Sequence, residues 1–137
     1  MNKNNISIII LAAGKGSRMK SPTAKVLHSI SGKPMLYHII KASQEISNDI
    51  TVVIAHQKEK VQESMQNYFD NINFCVQDAD NFPGTGGAMK NIAPKNEKVL
   101  VLNGDMPLIT ADALHGFLNT DADIIMSIFD FISFINC

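Results

Sequence analysis

The segment from Ile6 to Met19 constrains the fold of this chain more than any other. It begins with an apolar run rich in isoleucine and ends in a turn that contains Gly14 and Gly16. A continuous apolar run of this kind is typical of a central strand in a parallel sheet. Glycines in the turn let the backbone approach a ligand, and Lys15 and Arg18 place positive charge beside them. The segment therefore predicts a strand that leads into a phosphate-binding turn.

Composition indicates one globular domain. The chain has 137 residues, of which 45% are hydrophobic, enough for a single modest core. Its apolar runs are shorter than the roughly 18 residues of a membrane span, so we expect no integral membrane segment and a cytoplasmic location. Cys75 and Cys137 lie far apart in sequence, which argues against a disulfide framework.

Charge is distributed unevenly along the chain. Residues 1–44 contain no Asp or Glu, although the net charge of the whole chain is only −1. The basic residues of that segment stand at positions 3, 15, 18, 20, 25, 33 and 41. A one-signed segment beside a glycine turn attracts an anionic ligand. Nucleic acid is a poorer explanation, because the chain lacks a dense basic run with interleaved aromatic residues.

Apolar periodicity predicts alternating strands and helices. A helix is expected to begin after Pro34, and another carries the stripe Val61, Met65, Tyr68 and Phe69. The predicted strands are 6–12, 50–55, 72–76, 99–102 and 124–129, and two further helices are predicted at 84–92 and 110–118. This alternation indicates an α/β fold with a mainly parallel sheet and helices on both faces.

Three segments are expected to meet at one edge of this sheet. They are the turn after the first strand, the Gln77–Gly84 loop with the glycines that follow it, and Asn103-Gly104-Asp105. Ligands of open α/β sheets bind beyond the carboxyl ends of the strands, where all three lie. Asp105 has two interpretations, a turn former or a ligand of Mg²⁺, and its neighbours favour the metal.

Two common phosphate-binding motifs are absent. Met19 stands where the dinucleotide fingerprint has its third glycine, and no acidic residue follows about twenty positions later. The P-loop pattern fails as well, because Gly-Lys-Ser/Thr does not occur at the required spacing. The phosphate site must therefore be of another class.

Several motifs in the expected order resemble the sugar-nucleotide transferases. These are Leu11 to Met19, Lys25-Val26-Leu27-His28, Gly32-Lys33-Pro34-Met35, Gly84-Thr85-Gly86 and Gly104-Asp105-Met106-Pro107-Leu108. Within that family the chain is most similar to the N-terminal uridylyltransferase domain of the bifunctional enzymes that make UDP-N-acetylglucosamine. The resemblance covers about residues 5–130 and implies a Rossmann-like nucleotidyltransferase fold, incomplete at the C-terminus.

The resemblance also implies a reaction and its residues. UMP would pass from UTP to N-acetylglucosamine 1-phosphate with release of pyrophosphate, in the synthesis of cell-wall and lipopolysaccharide precursors. Arg18 and Lys25 would be catalytic, and Asp105 would bind Mg²⁺. The substrate-binding residues would be Leu11, Ala12, Ala13, Gly14, Lys15, Gln77, Gly84, Thr85, Asn103 and Gly104. Full-length members of the family form homo-oligomers.

The sequence departs from the family pattern at several positions. Ala24 replaces a common Pro, Gly87 a common His and Asn103 a common Tyr, and the Gln77–Gly84 segment is longer than usual. Residues 1–130 form the expected nucleotidyltransferase part, and residues 131–137 an aberrant apolar tail that would expose a strand edge. We expect this ending to reflect a premature stop, a frameshift or a cut. Two functions therefore stay open: the uridylyltransferase, or a truncated nucleotide-binding remnant without activity.

Overall fold

The computed structural model describes residues 6–14, 24–78, 80–82, 84–105, 110, 112, 114, 116, 124–128 and 131–135. Its main strands are β1 (Ile6–Leu11), β4 (Asp49–Ile54), β5 (Asn73–Val76), β6 (Lys98–Asn103), β7 (Ile124–Ile128) and β8 (Phe131–Ile135). Two short strands, β2 (Ser29–Ile30) and β3 (Lys33–Pro34), form a separate hairpin. The helices are α1 (Met35–Gln44), α2 (Lys58–Gln66) and α3 (Gly84–Ala88), and a single 3-10 turn spans Lys25–Leu27.

The six main strands form one sheet in the order β5-β4-β1-β6-β7-β8. All neighbours pair in parallel except β8, which runs antiparallel to β7 at the edge. The apolar tail of the sequence thus supplies the edge strand. The expectation of a mainly parallel sheet is confirmed.

The core has two layers because alternate residues of each strand point to opposite faces. Ile8 and Ile10 of β1 pack with Leu36 of α1 and Met65 of α2 on one face. On the other face, Ile9 packs with Val53, Val101 and Ala88, the last residue of α3. Helices therefore cover both faces, as predicted.

Two helix predictions were wrong at their ends. The helix predicted at 84–92 ends at Ala88, after which the chain forms turns before Pro94. The second predicted helix includes Tyr68 in its apolar stripe, but α2 ends at Gln66, so Tyr68 lies beyond the helix. Tyr68 is 42% exposed, whereas Phe69 is buried. The Tyr68 ring instead lies over the surface, where Lys33 approaches its face.

The amino edge of the sheet carries a buried polar cluster. The Ser7 hydroxyl donates to the Asp49 carboxylate and accepts from the Asn96 backbone N–H at 3.1 Å and from its side-chain amide at 3.2 Å. The Ser47 hydroxyl donates to the carbonyl of Ile6. These bonds tie β1, β4 and the segment before β6 together at the edge opposite the predicted site.

Candidate functional site

The order of the strands creates a crevice beside β1. From β1 the chain moves outward to β4 and β5, and then returns to place β6 on the other side of β1. In open α/β sheets, the point where the strand order reverses is where ligands bind, beyond the carboxyl ends of the strands. Leu11 and Asn103 end β1 and β6 as register partners, so the loops that follow them line this point together.

Gly104 lets these two loops touch. Its backbone N–H donates to the Leu11 carbonyl at 2.9 Å. A Cβ at Gly104 would lie 3.1 Å from the Leu11 carbonyl oxygen, 3.1 Å from Cγ1 of Val26 and 3.3 Å from Cβ of Ala12. The missing side chain therefore permits the close approach, and Asp105 follows directly at the surface of the crevice.

Lys25 and Asp105 form an ion pair at this place. The Lys25 Nζ donates to Oδ2 of Asp105 at 2.9 Å, and the two side chains are 39% and 27% exposed. A pair that is this accessible to solvent contributes only about 0–1 kcal/mol to folding. The two charges thus lie where a solvent-borne ligand reaches both of them.

The first loop runs from the sheet to the surface within three residues. The Ala12 N–H donates to the Val53 carbonyl at 2.8 Å, which extends the pairing of β1 with β4. Ala12 is buried, Ala13 is half-buried and Gly14 is exposed, with open space around the position of a Cβ. The backbone of Ala13 and Gly14 therefore faces the crevice more openly than that of Ala12. Lys15 and Arg18 lie outside the described residues.

Gln77 closes the loop that follows β5. Its side-chain amide donates to the carbonyls of Phe82 at 2.9 Å and Gly84 at 3.1 Å. Gly84 has a φ of +80°, a conformation that favours glycine, and Thr85 follows it in α3. Gln77 thus closes the loop at the carboxyl end of β5, and the predicted substrate-binding residues Gly84 and Thr85 begin α3 directly after that loop.

Two further contacts fix the same loop. A Cβ at Gly87 would lie 2.0 Å from the Phe82 carbonyl oxygen, so the present conformation requires glycine there. The Lys90 ammonium lies 3.1 Å from the centroid of the Phe82 ring, a cation–π contact. Glycine in place of the family's common His at position 87 therefore accompanies a loop that folds back on α3.

The carboxylate of Asp78 belongs to this loop as well. Hydrogen bonds from the side chain and then the backbone of Asn81 lower the pKa of Asp78 from its ordinary value of 3.8. Both bonds stabilise the ionised form. The ionised Asp78 carboxylate thus accepts two hydrogen bonds from Asn81 at the exposed surface of this loop.

The donor set at the crevice fits a divalent metal ion that takes few ligands from the protein. Among the residues that the structure describes, no group of three His, Cys, Asp or Glu side chains could hold a metal. Asp105 is a single, partly exposed carboxylate. Mg²⁺ binds through one or two carboxylates together with substrate phosphates, so Asp105 suits it, whereas a metal held by protein ligands alone would need more donors.

The sequence did not single out Gln57, which lies in the turn between β4 and α2. Its side-chain oxygen accepts the backbone N–H of Ala24 at 2.9 Å. Nothing in a lone glutamine outside a motif signals a contact across 33 residues.

Within the part of the chain that the structure describes, no helix is long and apolar enough to cross a membrane.

Comparison with known proteins agrees with this architecture. Residues 8–131 match the family model of the MobA-like NTP transferase domain. The bifunctional protein GlmU of Sulfurimonas denitrificans is 66% identical over 130 residues, which are 95% of this chain and 30% of that protein. GlmU of Aliarcobacter butzleri is 62% identical over 124 residues, 90% of this chain and 28% of that protein. The chain thus spans less than a third of the length of these relatives.

Solved structures show the same fold. A nucleotidyl transferase from Methanothermobacter thermautotroptrophicus superimposes with a TM-score of 0.72 at 21% identity. The match covers 87% of this chain and 59% of that one. The Rossmann-like nucleotidyltransferase fold implied by the sequence motifs is therefore confirmed.

Proposed function

Because this chain belongs to the MobA-like NTP transferase domain family, we propose that it transfers UMP from UTP to N-acetylglucosamine 1-phosphate and releases pyrophosphate. The high identity to the bifunctional proteins named GlmU supports this choice among NTP transferases. The observation that carries the proposal is the Lys25–Asp105 pair at the crevice beside β1. It offers a cation for phosphate oxygens and a carboxylate for a divalent metal at one place.

The chemistry needs no covalent enzyme intermediate. An oxygen of the sugar phosphate attacks the α-phosphorus of UTP, a new P–O bond forms, and the bond to the β-phosphate breaks as pyrophosphate leaves. The attacking and leaving oxygens are in line, so catalysis consists mainly of positioning and charge neutralisation. UTP and sugar phosphates are cytoplasmic metabolites, and we place the reaction there.

In this proposal, Lys25 and Asp105 stabilise the charge of the triphosphate in different ways. Lys25 donates to phosphate oxygens of UTP, and Asp105 holds Mg²⁺ together with those phosphates. The metal ion, when bound, neutralises charge on the triphosphate. Binding would then replace the direct ion pair, with Lys25 in contact with the nucleotide and Asp105 in contact with the metal ion. Arg18, whose sequence position follows the exposed Gly14, is proposed to add a second cation.

The nucleoside would lie between the first loop and the loop after β5. The backbone of Leu11 to Gly14 is proposed to contact uridine, with Ala13 and Gly14 as the more accessible part, and Lys15 to add charge. Gln77, Gly84 and Thr85 would read the uracil from the β5 side. Asn103 and Gly104 would form the wall between base and metal.

A coupled assay tests the reaction. The intact chain is incubated with UTP, N-acetylglucosamine 1-phosphate and Mg²⁺, while pyrophosphate release and UDP-N-acetylglucosamine are measured together. Lys25→Met should weaken UTP binding about 10- to 100-fold, the loss expected for a charge-assisted hydrogen bond of about 1.5–3 kcal/mol. Lys41→Ala, which removes an exposed lysine of α1, serves as the matched control and should change nothing.

The same assay distinguishes the second candidate. Binding of UTP without turnover would identify a nucleotide-binding chain without activity, the second candidate. Absence of both binding and turnover would contradict both functions. Turnover with a different nucleotide would correct the substrate.

A further inference from the structure

The turn between β4 and α2 holds a residue in an unusual backbone conformation. Gln57 has φ +53° and ψ +37°, the left-handed region. A residue with a Cβ is disfavoured there, and glycine or asparagine is the usual choice. Gln57 precedes α2, but its side chain makes no capping bond to that helix. A side-chain cap on α2 therefore does not explain the left-handed conformation of Gln57.

The side chain of Gln57 instead reaches the segment that carries Lys25. Its Oε1 accepts the N–H of Ala24, a residue that is only 2% exposed. The Ala24 carbonyl in turn accepts the N–H of Leu27 at 2.9 Å and closes the Lys25–Leu27 turn. A buried N–H without a partner is costly, so Gln57 fixes both the position and the orientation of this backbone.

A continuous line of contacts then leads to the reaction site. Gln57 holds Ala24, the next residue is Lys25, and the Lys25 Nζ reaches Asp105. These four residues connect the carboxyl end of β4 with that of β6, and β1 lies between the two strands. A displacement of Ala24 would move the Cα of Lys25, and with it the start of the Lys25 side chain, relative to Asp105.

We propose that Gln57 is a positioning residue that acts through Ala24 to aim Lys25 at the triphosphate. The inference rests on the proposed function, because it concerns Lys25 as the phosphate-binding cation. In the left-handed conformation the Gln57 side chain reaches Ala24 and makes no capping bond to α2.

Two variants separate positioning from folding. Gln57→Gly removes the hydrogen bond but relieves the left-handed backbone, so the two effects on its unfolding free energy oppose each other and it should lose less stability than Gln57→Met. Gln57→Met also removes the bond but keeps the disfavoured backbone, so it should unfold more easily. Ser31→Gly is the matched control, since Ser31 has the same φ of +53° in a turn between β2 and β3.

The readouts are Mg-UTP affinity by calorimetry and amide hydrogen exchange of Ala24. Both Gln57 variants should weaken affinity by about tenfold, as the loss of one hydrogen bond allows, although Gln57→Met loses more stability than Gln57→Gly. Exchange of the Ala24 amide should accelerate at least tenfold in both. Ser31→Gly should alter neither quantity.

Three outcomes would overturn the inference. They are wild-type affinity in Gln57→Gly, an affinity loss confined to the destabilised Gln57→Met, and an unchanged Ala24 exchange rate. If the wild-type chain binds no UTP, the proposed function fails instead. Ala24 exchange then still decides whether Gln57 holds the Lys25 segment.

Discussion

The Lys25 ammonium and the Asp105 carboxylate lie 2.9 Å apart although 80 positions separate them in sequence. Neither residue is buried, and an exposed pair of this kind stabilises a fold by at most about 1 kcal/mol. Two opposite charges at the crevice beside β1 are thus better explained by a ligand than by stability. Substituting either residue should therefore change ligand binding without unfolding the chain, so mutagenesis can test the site.

Asp105→Asn tests the metal role. The variant keeps the size of the side chain but removes the charge that Mg²⁺ prefers, so metal-dependent affinity for UTP should fall at least about tenfold. The unfolding free energy should change by less than about 1 kcal/mol. Calorimetry with and without Mg²⁺ and urea unfolding provide the two measurements.

Asp70→Asn is the control for this experiment, because Asp70 is exposed in the loop between α2 and β5. It removes the same charge at the opposite edge of the sheet and should leave affinity unchanged. An Asp105→Asn variant with wild-type dependence on Mg²⁺ would contradict the assignment.

Gly104→Ala tests the close approach of the two loops. Its new Cβ would meet the Leu11 carbonyl oxygen and the Val26 side chain, both at 3.1 Å. Such overpacking should lower the unfolding free energy by about 1–3 kcal/mol and also weaken UTP binding. Gly116→Ala adds a Cβ with nothing within 4 Å in a helical residue and should not lower the unfolding free energy. Equal unfolding curves for the two variants would show that the loops can separate freely.

Gly87→Ala tests the fold of the loop after β5. The added Cβ would lie 2.0 Å from the Phe82 carbonyl oxygen, so the loop must move. We expect the Lys90–Phe82 contact to be lost and UTP affinity to fall, as seen by NMR shifts and calorimetry. The neighbouring Gly86→Ala has open space and should leave both unchanged. A Gly87→Ala spectrum like that of the wild type would refute the observed loop geometry.

Ser7→Ala tests the polar cluster at the amino edge. The substitution removes a buried hydroxyl and leaves the part-buried N–H of Asn96 without its acceptor, which should cost about 1–3 kcal/mol in urea unfolding. Ser29→Ala, at an exposed position of β2, should cost less than about 0.5 kcal/mol. Comparable losses from the two variants would argue against the cluster.

Acidification should loosen the Asp78–Asn81 turn. The pKa of Asp78 is lowered in the folded chain, so the stabilisation is present above the ordinary pKa of 3.8 and is lost as pH falls through the lowered value. In an NMR titration, Asn81→Ala should raise the pKa of Asp78 toward 3.8. Asn67→Ala, an exposed change outside the loop, should leave the titration as it is.

The sequence predicted the sheet and most of the edge where the site lies. The apolar run of β1 identified the central strand, and the rule that ligands bind beyond carboxyl strand ends placed Gly14 and Asp105 at one edge. It did not predict Gln57, because a left-handed glutamine carries no compositional signal. It also did not predict that Gln77 would bond to the carbonyls of its own loop, which depends on loop geometry.

The parallel pairing of β1 with both β4 and β6 has a consequence for how the chain acquires its site. Neither neighbour is local in sequence, and contacts between distant segments form slowly because long loops must close first. The crevice can therefore form only when both long-range pairings are in place. The nucleotide binding that we propose should appear only with both of them, which makes ligand affinity a reporter of the assembled central sheet.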